Sequence, residues 1–232
     1  MRLGGLQKTS LIDYPGKISC VIFLSGCNFD CPFCHNPELA NGVTASPDEL
    51  DKNQLYAFLE KRRGLLDGVV ISGGEPTLQE DLFLLCEDIK QMGYPVKLDT
   101  NGSRPLVIRE LIDKRLIDYI AMDVKTDPLK YCRLIQKNCN FEKILSSIQI
   151  ILASGLPHEF RTTCAPALID EEDIRTICRL IQGARLYALQ KFHPDTVLHP
   201  DFFQNNNVCI NDGQLQDFKS IATPWVNQCI IR

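Results

Sequence analysis

The sequence predicts an α/β fold, a partial (β/α)6 barrel in a single domain spanning residues 1–232. Three observations predict it. Apolar strand-like runs alternate with amphipathic helices six times, which implies a parallel sheet with right-handed crossovers. A chain of 232 residues, 44% of them hydrophobic, can bury one substantial core. The unusual polar residues cluster just after the strands, and in a (β/α) barrel chemistry sits at the C-terminal strand ends.

The first strand is read at residues 18–24. Ser46, with Pro47 in the first turn and Glu49 three residues after the cap, has the form of a capping box for a helix running to Arg63 and stopped by Gly64. Residues 68–72, GVVIS, are a wholly apolar strand of the kind covered on both faces. Thr77 and Glu80 form a second capping-box pattern, ahead of Leu82, Leu85, Cys86 and Ile89 at helical spacing, and Gly93 ends that helix.

The third strand is 96–100, followed by a helix near 105–114. The fourth, 119–124, leads into a helical stretch around 128–136 and a helix from Asn140 to Ala153. The fifth, 159–163, precedes a helix capped by Asp170 that stacks Ile174, Ile177, Cys178 and Ile181 on one face. A sixth strand at 185–191 and a helix near 212–221 complete the series.

The net charge of −4 shows no broad basic footprint, so no nucleic-acid partner is expected. The basic run Lys61–Arg62–Arg63 closes a helix, where cations suit the C-terminal dipole. Eleven cysteines, an odd number, are scattered at 20, 86, 132, 139, 164, 178, 209 and 229 outside one tight group. That pattern indicates a reducing, cytoplasmic setting rather than a disulfide framework. No secretory signal or membrane-length apolar run is found, so no membrane association is expected.

The tight group is Cys27, Cys31 and Cys34 in CNFDCPFCHN, directly after the first strand. Three thiolates on one short loop can converge on a single metal centre and leave it one ligand short. Soft thiolates favour zinc, Cu(I) or iron–sulfur clusters. A four-iron cluster takes four cysteines, so three leave one iron open for chemistry. The alternative is a zinc-stapled interaction module. Its nearest fourth donor would be His35, whose adjacency to Cys34 makes it awkward for one tetrahedral ion.

After the second strand come Gly73, Gly74 and Glu75, glycines that allow close backbone approach to a ligand and an acid that can accept from an ammonium group. The other reading is an ordinary glycine-rich turn into a helix. Asp99 closes the third strand. Asp123 and Lys125 alternate onto one face of the fourth, which marks either a ligand site or a structural salt bridge. Arg161 lies on the fifth strand and His193 follows the sixth. Arg161 could meet a carboxylate or satisfy a helix end, and a loop histidine is often incidental.

C-x3-C-x2-C with Phe33 before the last cysteine, followed one βα unit later by GGEP, resembles the radical S-adenosylmethionine (SAM) enzymes. The opening GGLQKTSLIDYPGKISCVIFLSGCNFDCPFCHNPEL, continued by LDTNG, MDVKTDP and KFHPDT, is similar to the anaerobic ribonucleoside-triphosphate reductase activating proteins, relatives of the pyruvate formate-lyase activating enzymes. The likeness spans essentially the whole chain.

It implies one 4Fe–4S cluster on Cys27, Cys31 and Cys34, with SAM on the fourth iron. Gly73, Gly74 and Glu75 would receive the methionyl ammonium, and Asp123 and Lys125 would contact the ribose and carboxylate region. Asp99 would help bind a monovalent cation beside SAM. Phe33 and His35 would border the adenine, His193 would add a wall, and Arg161 would sit near the SAM carboxylate. The implied reaction is reductive SAM cleavage to a 5′-deoxyadenosyl radical, which generates a glycyl radical on a partner. That partner would be an anaerobic ribonucleotide reductase, and the electron donor a flavodoxin or ferredoxin. A radical SAM enzyme acting on a small molecule is the alternative.

Two departures from the family pattern stand out. Only twelve residues separate Cys34 from Pro47, leaving no room for the extra-cluster insertion of many relatives. Asp30 stands where relatives often carry a basic residue, a change that would alter docking of the partner or reductant.

Overall fold

Each of the six predicted strands forms. In the computed structural model, which describes residues 1–45, 50–131, 140–194, 197–204 and 210–232, they are β2 (Ser19–Leu24), β3 (Gly68–Gly73), β4 (Val96–Thr100), β5 (Tyr119–Asp123), β6 (His158–Cys164) and β7 (Tyr187–Lys191). Two more strands flank them, β1 (Leu3–Ser10) and β8 (Cys229–Ile231). The sheet order is β1-β2-β3-β4-β5-β6-β7-β8. Consecutive strands lie side by side throughout, the winding of a partial (β/α) barrel and not the reversed order of a doubly wound sheet. The pairs β2–β3, β3–β4, β6–β7 and β7–β8 are parallel, with Phe23 opposite Ser72 and Arg161 opposite Ala188.

β1 is the exception. It runs antiparallel to β2 with two register shifts, and its sequence LGGLQKTS lacks the apolar alternation that announces a strand. Its pairing depends on an edge that β2 provides, so the local pattern does not reveal it. β8 is only three residues long and rests on β7.

The helices are α1 (Pro37–Ala40), α2 (Lys52–Lys61), α3 (Leu82–Gln91), α4 (Pro105–Asp113), α5 (Phe141–Ala153), α6 (Glu171–Leu180), α7 (Asp201–Gln204) and α8 (Asp212–Ala222). The chain packs as two compact units. The first comprises residues 1–28, 38–100 and 106–120; the second comprises 29–37, 101–105 and 121–232.

In the first unit, Leu82, Leu85, Cys86 and Ile89 of α3 are buried, the apolar face read from the sequence, as are Leu55 and Leu59 of α2 and Val21, Val70 and Leu98 of the strands. The Ser46 capping box lies outside the described residues. Helix α2 begins later, at a capping box of Asp51 with Gln54. The Thr77–Glu80 box is not used. Thr77 sits in a 3-10 turn, Pro76–Leu78, where Glu75 is the cap, and α3 starts only at Leu82. The threonine hydroxyl is drawn instead to the buried Glu75 carboxylate.

In the second unit the α6 face Ile174, Ile177, Cys178 and Ile181 is fully buried, and Asp170 and Asp173 close a capping box at its start. Of the stretch read as helical around 128–136, Pro128–Lys130 form a 3-10 turn, and residues 132–136 lie outside the described residues. Burial pushes the thiols of Cys20, Cys86, Cys164 and Cys178 up to about 12 and Cys229 up to about 11, so these cysteines serve as small hydrophobes. Cys132, Cys139 and Cys209 lie outside the described residues.

His158 is held neutral. Its Nδ1 donates to the Leu156 carbonyl at 2.8 Å and its Nε2 accepts from Arg185 N–H at 3.3 Å, and burial lowers its pKa from 6.5. A depressed folded pKa makes this contribution complete above pH 6.5 and lost as pH falls through the folded value. Denaturant midpoints of the native chain should therefore fall more steeply from pH 7.5 to pH 5 than those of His158→Gln.

Candidate functional site

β2 ends at Leu24, and the chain beyond it is fixed by backbone hydrogen bonds. Gly26 N–H donates to Leu39 O at 2.7 Å and Cys27 N–H to Ala40 O at 3.2 Å, tying the loop to α1. From the other side Gly74 N–H donates to Leu24 O at 2.8 Å and Glu75 N–H to Gly26 O at 2.9 Å. A Cβ at Gly74 would stand 2.3 Å from Gly26 O, and one at Gly73 (φ +117°) 2.2 Å from Leu24 O. Both glycines are therefore required by the approach of the β2–loop backbone. The sequence reading assigned that closeness to a ligand.

Glu75 is fully buried. Its Oε1 accepts from Thr77 N–H at 3.1 Å, from the Thr77 hydroxyl, and from the Thr100 hydroxyl at 2.8 Å. Three donors on one oxygen fix the plane of the carboxylate. Asp99 is organised the same way, with the Ser72 hydroxyl on Oδ2 at 3.1 Å and the Lys97 ammonium on Oδ1 at 2.5 Å. Asp99 thus carries one cation from the chain itself, the Lys97 ammonium. Lys97 is 1% exposed and lies 5.8 Å from the centre of the Tyr119 ring. Lys97 stands two residues before Asp99 on β4, as Lys125 stands two residues after Asp123, so the same spacing points to it.

In the second unit Asp123 closes β5 and holds two cations. Lys125 Nζ is 2.7 Å from its Oδ2, and Arg161 Nε on β6 is 2.7 Å from its Oδ1. Burial favours the protonated acid, but the two cations outweigh it and hold the carboxyl well below the usual range. Lys125 is the converse case. Burial opposes its charge, while Asp123 and the sulfurs of Cys31 and Cys34 more than restore it, so its pKa is raised. Its ammonium lies 5.6 Å from the centre of the Phe33 ring. The buried Tyr131 hydroxyl accepts Lys125 N–H at 2.7 Å and fixes the backbone there, a support the sequence reading missed.

Cys31 is buried and Cys34 partly exposed, joined by a turn in which Cys34 N–H donates to Cys31 O at 3.0 Å. None of Cys27, Cys31 and Cys34 is in a disulfide. Among the described residues, no group of three or more His, Cys, Asp or Glu is gathered as a metal-holding set. Cys27 belongs to the first unit, with Gly73, Gly74, Glu75 and Asp99. Cys31, Cys34, Phe33, His35, Asp123, Lys125, Arg161 and His193 belong to the second. His35 Nε2 donates to His193 O at 3.0 Å, and its ring stacks on Phe192 with centroids 6.1 Å apart. Burial lowers the His35 pKa.

Residues 21–181 match the Radical SAM superfamily. The chain belongs to that superfamily. A Methanocaldococcus jannaschii protein named "Putative glycyl-radical enzyme activating enzyme" is 38% identical to this radical SAM protein over 99% of its length and 95% of the relative's. The pyruvate formate-lyase-activating enzyme of Clostridium pasteurianum is 27% identical over 95% and 91% of the two chains.

Among solved structures, Streptococcus suis SuiB bound to S-adenosylmethionine superposes with a TM-score of 0.67 at 15% identity, covering 88% of this chain and 48% of SuiB. Methylornithine synthase gives 0.63 at 15%, covering 91% and 63%. These structures share the radical SAM fold, and the chain spans about half of SuiB's length.

The cofactors of a radical SAM enzyme are a 4Fe–4S cluster and S-adenosylmethionine. The residues present fit them in kind: the thiols of Cys27, Cys31 and Cys34 stand outside any disulfide and are of the soft type that such a cluster takes. No helix among the described residues is long and apolar enough to cross a membrane.

Proposed function

We propose that this radical SAM enzyme generates a glycyl radical on a partner enzyme, and that the partner is an anaerobic ribonucleoside-triphosphate reductase. The 38% identity that runs through 99% of the chain to a protein named as a glycyl-radical enzyme activating enzyme carries this reading. Cys27, Cys31 and Cys34 would hold the cluster, charged by a flavodoxin or ferredoxin. When bound, the cluster and SAM supply a 5′-deoxyadenosyl radical that can take a hydrogen atom from a glycine Cα.

The chain's own residues orient the cofactor and keep stray donors away. Gly73 and Gly74 seat the cysteine loop and direct Glu75, whose carboxylate, fixed by Thr77 and Thr100, receives the methionyl ammonium. Asp123, locked between Lys125 and Arg161, offers its oxygens to the ribose, and the two cations serve the SAM carboxylate. Phe33, His35 and His193 border the adenine. At Asp99 the Lys97 ammonium contributes a positive charge, beside which a monovalent cation would add a second.

The test mixes reconstituted chain, SAM and a reductant with an anaerobic ribonucleotide reductase under anoxia and records the electron paramagnetic resonance spectrum. A glycyl radical doublet, absent when SAM is omitted, is the expected result. Formation of 5′-deoxyadenosine with no radical on the reductase would overturn the partner assignment.

A further inference from the structure

The portion of the loop that carries Cys31 and Cys34 is held at both ends by residues that follow β7. At one end His199 makes two hydrogen bonds. Its backbone N–H donates to Pro32 O at 3.1 Å, and its ring Nε2 lies 2.7 Å from Asp30 Oδ1. A carboxylate oxygen can only accept, so Nε2 carries the proton and Asp30 need not meet a charged imidazole. At the other end the His193 carbonyl accepts from His35 Nε2 at 3.0 Å. Phe192 packs on the His35 ring and on Phe203, with centroids 6.1 and 4.7 Å apart, and Phe203 meets Phe202 edge-on at 5.0 Å. All of these residues belong to the second unit.

Cys31 and Cys34 lie between the two attachments. A loop fixed at both ends loses most of its freedom before any ligand arrives, so less order has to be imposed on binding. Asp30, which the sequence marked as a departure bearing on docking, is turned to an internal partner.

We propose that His199 is a positioning residue for the cysteine loop, acting through Asp30 and Pro32, and that the His193–His35 bond is the second point of the same clasp. The pair is half-exposed, and its effect is the modest one such a pair supplies. This inference rests on the reading of Cys31 and Cys34 as cluster ligands only for its iron readout.

The test has two arms on the full chain. In the metal-free protein, the rate at which iodoacetamide alkylates the buried Cys31, followed by peptide mass spectrometry, should rise about two- to fivefold in His199→Ala. Asp30→Ala should match it, the double variant should go no further than either single, and His199→Gln, which keeps a side-chain donor, should restore the native rate. In the reconstituted protein, release of iron to a chelator should follow the same order, with the melting temperature of the metal-free variants unchanged. Additive effects, native rates in both single variants, or failure of glutamine to rescue would overturn the proposal. A native chain that takes up no iron would sink the cluster reading and leave the alkylation arm to decide the clasp.

Discussion

Replacing Cys31 with alanine is expected to remove iron and SAM cleavage from this chain together. The side chain is buried, and the turn around it is held by the Cys31 carbonyl, which alanine keeps. The substitution would therefore delete one of the three sulfurs proposed to hold the cluster and leave the backbone turn intact. Loss of a group that acts only as part of a unit removes nearly all of the unit's effect, a fall of at least about 10³-fold. The measurement is iron and sulfide per chain together with 5′-deoxyadenosine formed under anoxia. Cys86→Ala is the control. Its thiol lies inside α3 with its pKa pushed up to about 12, and its loss should alter stability and leave both readouts at the native level. Native iron content and turnover in Cys31→Ala would refute the assignment of this residue.

Gly74→Ala should produce the second large effect, by a steric route. The new methyl group would meet Gly26 O at 2.3 Å and Gly26 C at 2.6 Å, both backbone atoms that cannot rotate away. The strand end and the start of the cysteine loop have to separate, stretching the bonds from Gly74 N–H to Leu24 and from Glu75 N–H to Gly26. Overpacking of this kind costs about 1–3 kcal/mol. The displacement also carries Cys27, the next residue, so iron incorporation should fall by more than the loss of stability explains. Gly73→Ala adds a left-handed backbone, φ +117°, to a contact of 2.2 Å and should be at least as damaging. The checks are thermal melting of the metal-free chain and iron stoichiometry after reconstitution. An alanine variant that melts and loads like the native chain would mean that the backbone at this point can yield.

The six strands announce themselves because each carries an apolar run of strand length, most complete at Val69–Val70–Ile71, and the helix faces follow because their spacing is local. The cysteine triad is legible for the same reason, since its residues are neighbours in sequence. β1 was not, because a polar, glycine-containing edge strand takes its pairing from β2 and carries no period of its own. The roles of Thr100 around Glu75 and of Ser72 around Asp99 depend on residues 25 and 27 positions apart meeting at neighbouring strand ends, whereas Lys97 lies only two residues from Asp99.

By itself the sequence determined the six central strands, the longer helices between them and the residue types able to do chemistry, because hydrophobic period and ligand type are properties of short stretches. Only the tertiary structure decided which acid is locked by which cation, that Gly73 and Gly74 are needed by the strand beside them, and that Asp30 faces His199. Hydrogen-bond geometry and close packing act through space between segments that no local pattern joins.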